Sequence, residues 1–379
     1  MTETPAQSRD SKKALPVGAS SAWPKEVHAG WVLDEPTLAG MGKFLTSLVV
    51  GLMDEIVRVT IFCPESADVS ELPEPPVEVA RYRNRGLLGM PSRELERLAD
   101  EITDRKIRIL HALDVGSAKL AGKLSELSSL PLIVTANKLG DSRRLRKLPG
   151  HLKCIMAGSE QIQLDLATHK VVPVADVLLV RPGGYLVRHA TCFNELDSVS
   201  AVVVGGPMDQ PEHYQAVLEA YRAVRGSDPP VGLFIIGNGR AEPRIRKEME
   251  KLGLRQEITF VDRMKTSTLP GIFKAADVYI SPSPMKRLDI PSFLAVSAGV
   301  PVLAAHGGGT DFLIDGRTAL RFNPGDADDL TRKLRNILED HAFARQIAEN
   351  ALDYLRENHS ASAMVSAVAG AYRDVLAGQ

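Results

Sequence analysis

The chain has 379 residues, more than one ordinary hydrophobic core accommodates, which predicts two domains of roughly 150 to 200 residues each. Apolar residues at 44% and charged residues at 25% are those of a soluble globular protein, and a formal net charge of -1 excludes a global field that would select nucleic acid. No apolar run approaches the roughly 20 residues of a membrane span. No signal-peptide core is evident, and the three scattered cysteines Cys63, Cys154 and Cys192 suit a cytoplasmic protein without a metal site.

Residues 1–24, rich in Ser, Thr, Lys, Asp and Pro without periodicity, read as a disordered tail. Val27 to Leu33 reads as a first strand. The stretch Asp34 to Lys43 follows as a glycine-rich loop ahead of a helix whose Phe44, Leu45, Leu48, Val49 and Leu52 share one apolar face. Free backbone N–H groups and the helix dipole make such a junction a generic anion cradle, which nominates Gly40, Gly42 and Lys43. Arg58 to Phe62 and Val77 to Arg83 alternate as strands, and Pro91 to Lys106 has helical spacing. Ile107 to Ala112 is a strand with His111 near its end, either structural or facing a cleft. Pro131 to Ala136 is the next strand, followed by Asn137. Arg143, Arg144, Arg146 and Lys147 then form a basic run, read as a solvated face or as a peripheral contact for an anionic lipid or phosphorylated glycan. His151 to Gly158 gives another strand, Ser159 caps a helix, and the strand around Asp176 to Val180 leads to a domain boundary near residues 186–197.

The second half repeats the alternation. Ser198 to Val204 is a strand followed by Gly205-Gly206 and a helix over Pro211 to Val224. Pro230 to Ile236 ends in Gly237-Asn238-Gly239-Arg240 before a helix from Glu242 to Leu252. Ile258 to Val261 is a strand and Leu269 to Ala276 follows it. Asp277 to Ile280 is a buried strand, stopped by Ser281-Pro282-Ser283-Pro284 because proline has no donor for a ladder. Pro291 fits the first turn of a short buried helix that Gly299 and Pro301 end. Pro301 to Ala305 is again a strand, and Gly307-Gly308-Gly309, Asp315-Gly316 and Asn323 to Asp326 are turns. Helices over Leu330 to Leu338, Ala342 to Leu355 and Ala361 to Leu376 close the chain. Val365, Val368, Ala369, Tyr372 and Val375 share one apolar face on the last, which reads as a docking face or as that of a plain core helix. This order predicts an α/β protein of parallel sheets that binds ligands at the carboxyl ends of its strands.

Ala298-Gly299-Val300-Pro301-Val302, Gly307-Gly308, Asp315-Gly316 and Pro324-Gly325-Asp326 stand in the register of a known signature. The segment resembles the donor site of family-4-like, group 1 retaining glycosyltransferases. In that family a glutamate opens a Glu-Gly-Phe-Gly turn and a second glutamate follows it. Here Lys286 takes the first glutamate position, Arg287-Leu288-Asp289 the rest of the turn, and Leu294 the second. Gly206 stands where the family has an arginine, Pro211 or Glu212 where it has a lysine, and Asn137 where a histidine commonly faces the reacting sugar. Asparagine can hydrogen-bond but cannot relay a proton near neutral pH.

The resemblance implies a GT-B fold, two Rossmann-like domains with parallel sheets facing across a central cleft. It divides the chain into residues 25–190, residues 191–358, and a terminal helix over 359–379 that crosses back to the first domain. It also implies a nucleotide-sugar co-substrate, a glycan or lipid-linked acceptor, and no metal or further cofactor, since such sites use cationic side chains. Losing one preorganised donor to developing charge costs roughly 3 to 4 kcal/mol of transition-state stabilisation. Replacement cations are therefore sought at Lys43, Arg240, Lys286 and Arg287, a remaining carboxylate at Asp289, and backbone contacts at Gly40, Gly42, Gly237 and Gly239. The competing expectation is a catalytically inactive pseudo-glycosyltransferase that binds a glycan, a nucleotide or a protein.

Overall fold

The computed structural model describes residues 26–70, 72, 77–83, 90–148, 150–193, 200–226, 230–261 and 268–378, without the side chains of residues 42–44. The tail expected over 1–24, the stretch 194–199 around the domain boundary and the side chain of Lys43 lie outside the described residues.

The amino-terminal sheet contains β1 (Val27–Val32), β2 (Val57–Pro64), β3 (Glu78–Tyr82), β4 (Ile109–Ala112), β5 (Pro131–Ala136), β6 (His151–Ala157) and β7 (Val177–Leu179). They run parallel in the order β3-β2-β1-β4-β5-β6-β7. Buried on both faces, these strands read as near-continuous apolar runs rather than alternating ones. Helices α1 (Glu35–Asp54), α2 (Ser92–Asp104), α3 (Ala118–Ser128), α4 (Ser142–Leu145) and α5 (Glu160–His169) cover them. The second sheet has the order β10-β9-β8-β11-β12-β13 and is also parallel. Its strands are β8 (Ser200–Gly205), β9 (Val231–Ile236), β10 (Ile258–Val261), β11 (Val278–Ser281), β12 (Val302–Ala305) and β13 (Leu320–Phe322). Its helices are α6 (Pro211–Val224), α7 (Glu242–Lys251), α8 (Leu269–Phe273), α9 (Ile290–Ser297), α10 (Ala327–Glu339) and α11 (His341–Asn358). In both sheets the order reverses beside the first strand, between β1 and β4 and between β8 and β11. Such reversals open a crevice at the carboxyl ends of the strands.

One expected element starts elsewhere. The helix expected from Phe44 begins at Glu35, so Gly40 and Gly42 lie inside α1 rather than in a loop ahead of it. The Asp34 carboxylate accepts from Thr37 N at 2.8 Å and Pro36 occupies the first turn, a start signal that carries the helix past Gly40, while Gly42 falls where Glu35–Met41 and Leu45–Asp54 meet at an 80° bend. The anion cradle expected at Gly40 and Gly42 is therefore not a helix N-terminus.

Helix α12 (Ala361–Ala377) belongs to the carboxyl-terminal end of the chain but packs in the core of the first domain. Val365 lies so close to Gly51 of α1 that a Cβ there would fall 2.4 Å from Val365 Cγ2. Trp31 Nε1 donates to the Tyr372 hydroxyl at 2.8 Å, and Arg373 donates to the Glu55 carbonyl at 2.6 Å. Among the described residues no single helix is long and apolar enough to cross a membrane.

Candidate active site

A cavity of about 310 Å³ opens at the carboxyl ends of β1, β4 and β5, roofed by α1 and α12 and closed on one side by the loop before α9. Its size lies at the lower end of the range for small-molecule pockets, roughly 300 to 1,000 Å³. At the strand-order reversal Asp34 follows β1 and Asp114 follows β4, and both line the cavity. A Cβ on Gly116 would lie 2.6 Å from an oxygen of each carboxylate, so a glycine is required between them. Asp114 accepts from Ser117 N at 2.7 Å and Ser117 Oγ at 2.8 Å. Burial, together with the charge of Asp34, nevertheless pushes its carboxyl above the usual range.

The floor is a buried polar chain. Trp31 Nε1, which can only donate, gives its proton to the Tyr372 hydroxyl; that hydroxyl lies 2.7 Å from His111 Nδ1, and His111 Nε2 lies 2.8 Å from Thr135 Oγ1. Every group is satisfied when Tyr372 donates to Nδ1 and Nε2 carries the histidine proton toward Thr135. Burial alone pushes His111 down to about 3, so the ring is neutral at physiological pH. His111 and Thr135 line the cavity, while Tyr372 reaches this chain from α12.

Lys138, Arg144 and Arg287, all exposed, also line the cavity, with the buried Asp141 beside Lys138 and Arg144. Here the two domains touch through backbone groups. Leu139 N donates to the Lys286 carbonyl at 2.8 Å and Leu288 N to the Asn137 carbonyl at 2.9 Å, so Lys138 and Arg287 pair as an antiparallel bridge. Leu288 is buried in the apolar cluster of the first domain, where its Cδ1 would lie 2.5 Å from a Cβ on Gly158. A second tie links Arg181 Nε and Glu160 N to Asp311 Oδ2, at 3.1 and 3.3 Å.

The expected site residues scatter. Asn137, Gly40 and Arg287 line the cavity, and Arg144 of the basic run joins them. Arg146 turns away and donates to the His169 carbonyl at 3.3 Å, so the run does not form one face; Arg143 and Lys147 are exposed. Lys286 is exposed and Arg240 lies 3.6 Å from Asp209 with its side chain 81% exposed; neither lines the cavity. Asp289 is buried as the N-cap of α9: it accepts from Ser292 N at 3.1 Å, Ser292 Oγ at 2.7 Å and Ser281 Oγ at 2.8 Å. Its carboxylate is occupied by the helix start rather than presented to the cleft. Leu294 packs beside the core of the second domain and Glu212 is exposed in the first turn of α6.

The glycines of the second domain have a packing role. A Cβ on Gly237 would lie 2.9 Å from the Gly206 carbonyl, and one on Gly239 2.5 Å from the Met208 carbonyl, because the two loops abut through their backbones. Gly206 itself has φ +148°, which side-chain-bearing residues rarely adopt. Asp34, Asp114, Thr135 and Lys138 were not singled out in the sequence. Their shared signal is position, each just after or at the end of a parallel strand.

The second domain matches the family model described as "Glycosyl transferases group 1" over residues 199–353. The sulfoquinovosyl transferase of Arabidopsis thaliana is 32% identical over 127 residues, 32% of this chain and 24% of that protein. The D-inositol 3-phosphate glycosyltransferase of Corynebacterium glutamicum is 24% identical over 299 residues, covering 69% of this chain and 71% of its own length. Anabaena HepE, solved in complex with UDP and glucose, superposes with a TM-score of 0.72 at 15% identity, over 90% of this chain and 98% of that one. Residues 199–353 thus match the group 1 glycosyl transferases, in a chain whose paired parallel sheets have the GT-B fold.

Proposed function

We propose that this protein transfers a glycosyl group from a nucleotide-sugar donor to an acceptor hydroxyl, with the donor diphosphate held by Lys138, Arg144 and Arg287. The observation that carries this reading is the convergence of those three cations, contributed by both domains, on one cavity. Glycosyl transfer breaks the bond between the sugar and the diphosphate, and negative charge grows on the leaving oxygen. Cations brought to the leaving oxygen stabilise that charge, and these three, exposed in the free protein, are ordered by the diphosphate they bind. They replace the arginine that the backbone at Gly206 disfavours. The UDP in the Anabaena structure supports a nucleotide as the first ligand to try.

Calorimetry of the full chain against UDP, GDP, ADP and CDP tests this. Binding of one nucleotide is expected, with loss of that binding in an Arg144→Ala Arg287→Ala variant that remains folded by circular dichroism. Binding of none, or unchanged binding by the variant, overturns it. A second reading, a binding module without turnover, is favoured by one observation: Asp289, the carboxylate left in the glutamate turn, is spent on capping α9. Chromatography of the bound nucleotide's sugar conjugates separates the two, since free nucleotide accumulates with time only if a sugar is released or transferred.

A further inference from the structure

The apolar part of the cavity speaks to the acceptor, and this inference rests on the reading above. Leu45 and Leu48 of α1, Met156 of β6 and Met364 and Val368 of α12 belong to one apolar cluster and line the cavity, and among the described residues no Phe, Tyr or Trp side chain lines it. A free sugar placed against that wall would turn hydroxyls toward methyl groups and leave them without partners. Besides the floor at His111 and Thr135, the charged groups of the lining follow the strand ends. Asp34 and Asp114 stand over β1 and β4, whereas Lys138 stands over β5 and Arg287 pairs with it across the cleft. A further carboxylate, Asp141, lines the cavity beside the cations and accepts from Lys138 N at 3.1 Å, so it is already engaged there.

We infer that the acceptor is an aliphatic alcohol, whose hydrocarbon body lies against Leu45, Leu48, Met156, Met364 and Val368 and whose hydroxyl is held by Asp34 and Asp114. A hydroxyl donates to a carboxylate, and a hydrocarbon body buries against thioether and branched side chains with no polar group left unpaired. The unbranched methionines adapt to an aliphatic body of varied shape. The inference commits to small-molecule acceptors with one polar end and excludes bare polyols.

Met156 and Met364, together with Met41 on the same wall, provide the readout. The full chain is labelled with methyl-13C methionine and titrated with 1-octanol, methyl α-glucoside or myo-inositol. Signals are assigned through Met→Leu variants, which conserve volume. Octanol is expected to shift the Met41, Met156 and Met364 methyls saturably while leaving Met208 and Met249, buried in the second domain, in place. Val368→Phe, which fills the cavity, is expected to abolish the shift; should that variant not fold, the wild-type titration decides. Shifts by the polyols but not by octanol, no shift by octanol, or equal shifts at Met208 and Met249 overturn the inference. Because the titration reads binding without turnover, octanol failing while a nucleotide binds refutes the acceptor class alone, and a nucleotide failing while octanol binds refutes the donor reading alone.

Discussion

Tyr372→Phe removes one oxygen and tests the link between the last helix and the candidate active site. The hydroxyl accepts from Trp31 Nε1 at 2.8 Å and meets His111 Nδ1 at 2.7 Å, all inside a buried core. Phenylalanine fills nearly the same volume, so packing changes little and the cost is polar. The variant leaves the indole N–H without an acceptor and the Nδ1 lone pair without a donor. An orphaned buried polar group costs about 1 to 3 kcal/mol, so the two together predict a loss of about 2 to 6 kcal/mol. Urea denaturation followed by tryptophan fluorescence measures it: the midpoint falls while the slope, which reflects exposed area, stays the same. Nitrogen NMR of the wild-type His111 ring should show the proton on Nε2. A loss below about 0.5 kcal/mol, or a proton found on Nδ1, would refute the hydrogen-bond directions assigned to the chain.

His111 also sets an acid limb. The unfolded ring takes a proton near 6.5 and the folded one only near 3, so stability present above pH 6.5 is lost as pH falls through that window. The slope reaches about 1.4 kcal/mol per pH unit, and His111→Gln should flatten it in urea titrations between pH 6.5 and 4. Leu288→Ala withdraws a buried side chain of the second domain from the core of the first. It should cost about 2 to 4 kcal/mol and increase the radius of gyration in small-angle scattering if the domains part. Asp289→Ala removes the cap of α9 and strands the hydroxyls of Ser281 and Ser292. A loss of about 2 to 4 kcal/mol in thermal or urea unfolding is expected, and a neutral result would free Asp289 for a role in the cleft.

Much of the fold was legible because its signals are local. Pro211 to Val224 and Ile258 to Val261 end where the sequence ends them, since proline starts the helix and turn residues bracket the strand. Two departures have physical causes. Glycine costs a helix about 1 kcal/mol relative to alanine, which made Gly40 and Gly42 look like a loop; the Asp34 cap and the burial of Leu38 outweigh that cost at Gly40, while Gly42 sits at an 80° bend of α1. Strand β13 is only Leu320–Phe322 with Arg321 at its centre. That arginine is held inward by donating to the carbonyls of Leu313, Ala305 and Gly307, a use of charge that no hydropathy pattern reveals.

The site was less legible because it is assembled by pairing choices that the sequence does not encode locally. Asp34 and Asp114 become neighbours only because β4, not β2, follows β1 on the side where the sheet order reverses. Lys286 and Arg287 are adjacent and equally plausible as cations. The bridge between Lys138 and Arg287 assigns them different tasks: Lys286 gives its carbonyl to Leu139, while Arg287 lines the cavity. The same bridge has a functional consequence. When the charge-stabilising groups belong to a single domain, as an arginine at position 206 would, they are in place whether the cleft is open or shut. With Lys138 and Arg144 on one domain and Arg287 on the other, the full set exists only in the closed arrangement. Closure here depends on the backbone pair at Asn137 and Leu139 and on Leu288 seated beside Gly158. With the donor held as proposed, donor binding and domain closure are parts of one equilibrium, each drawing on the other's free energy.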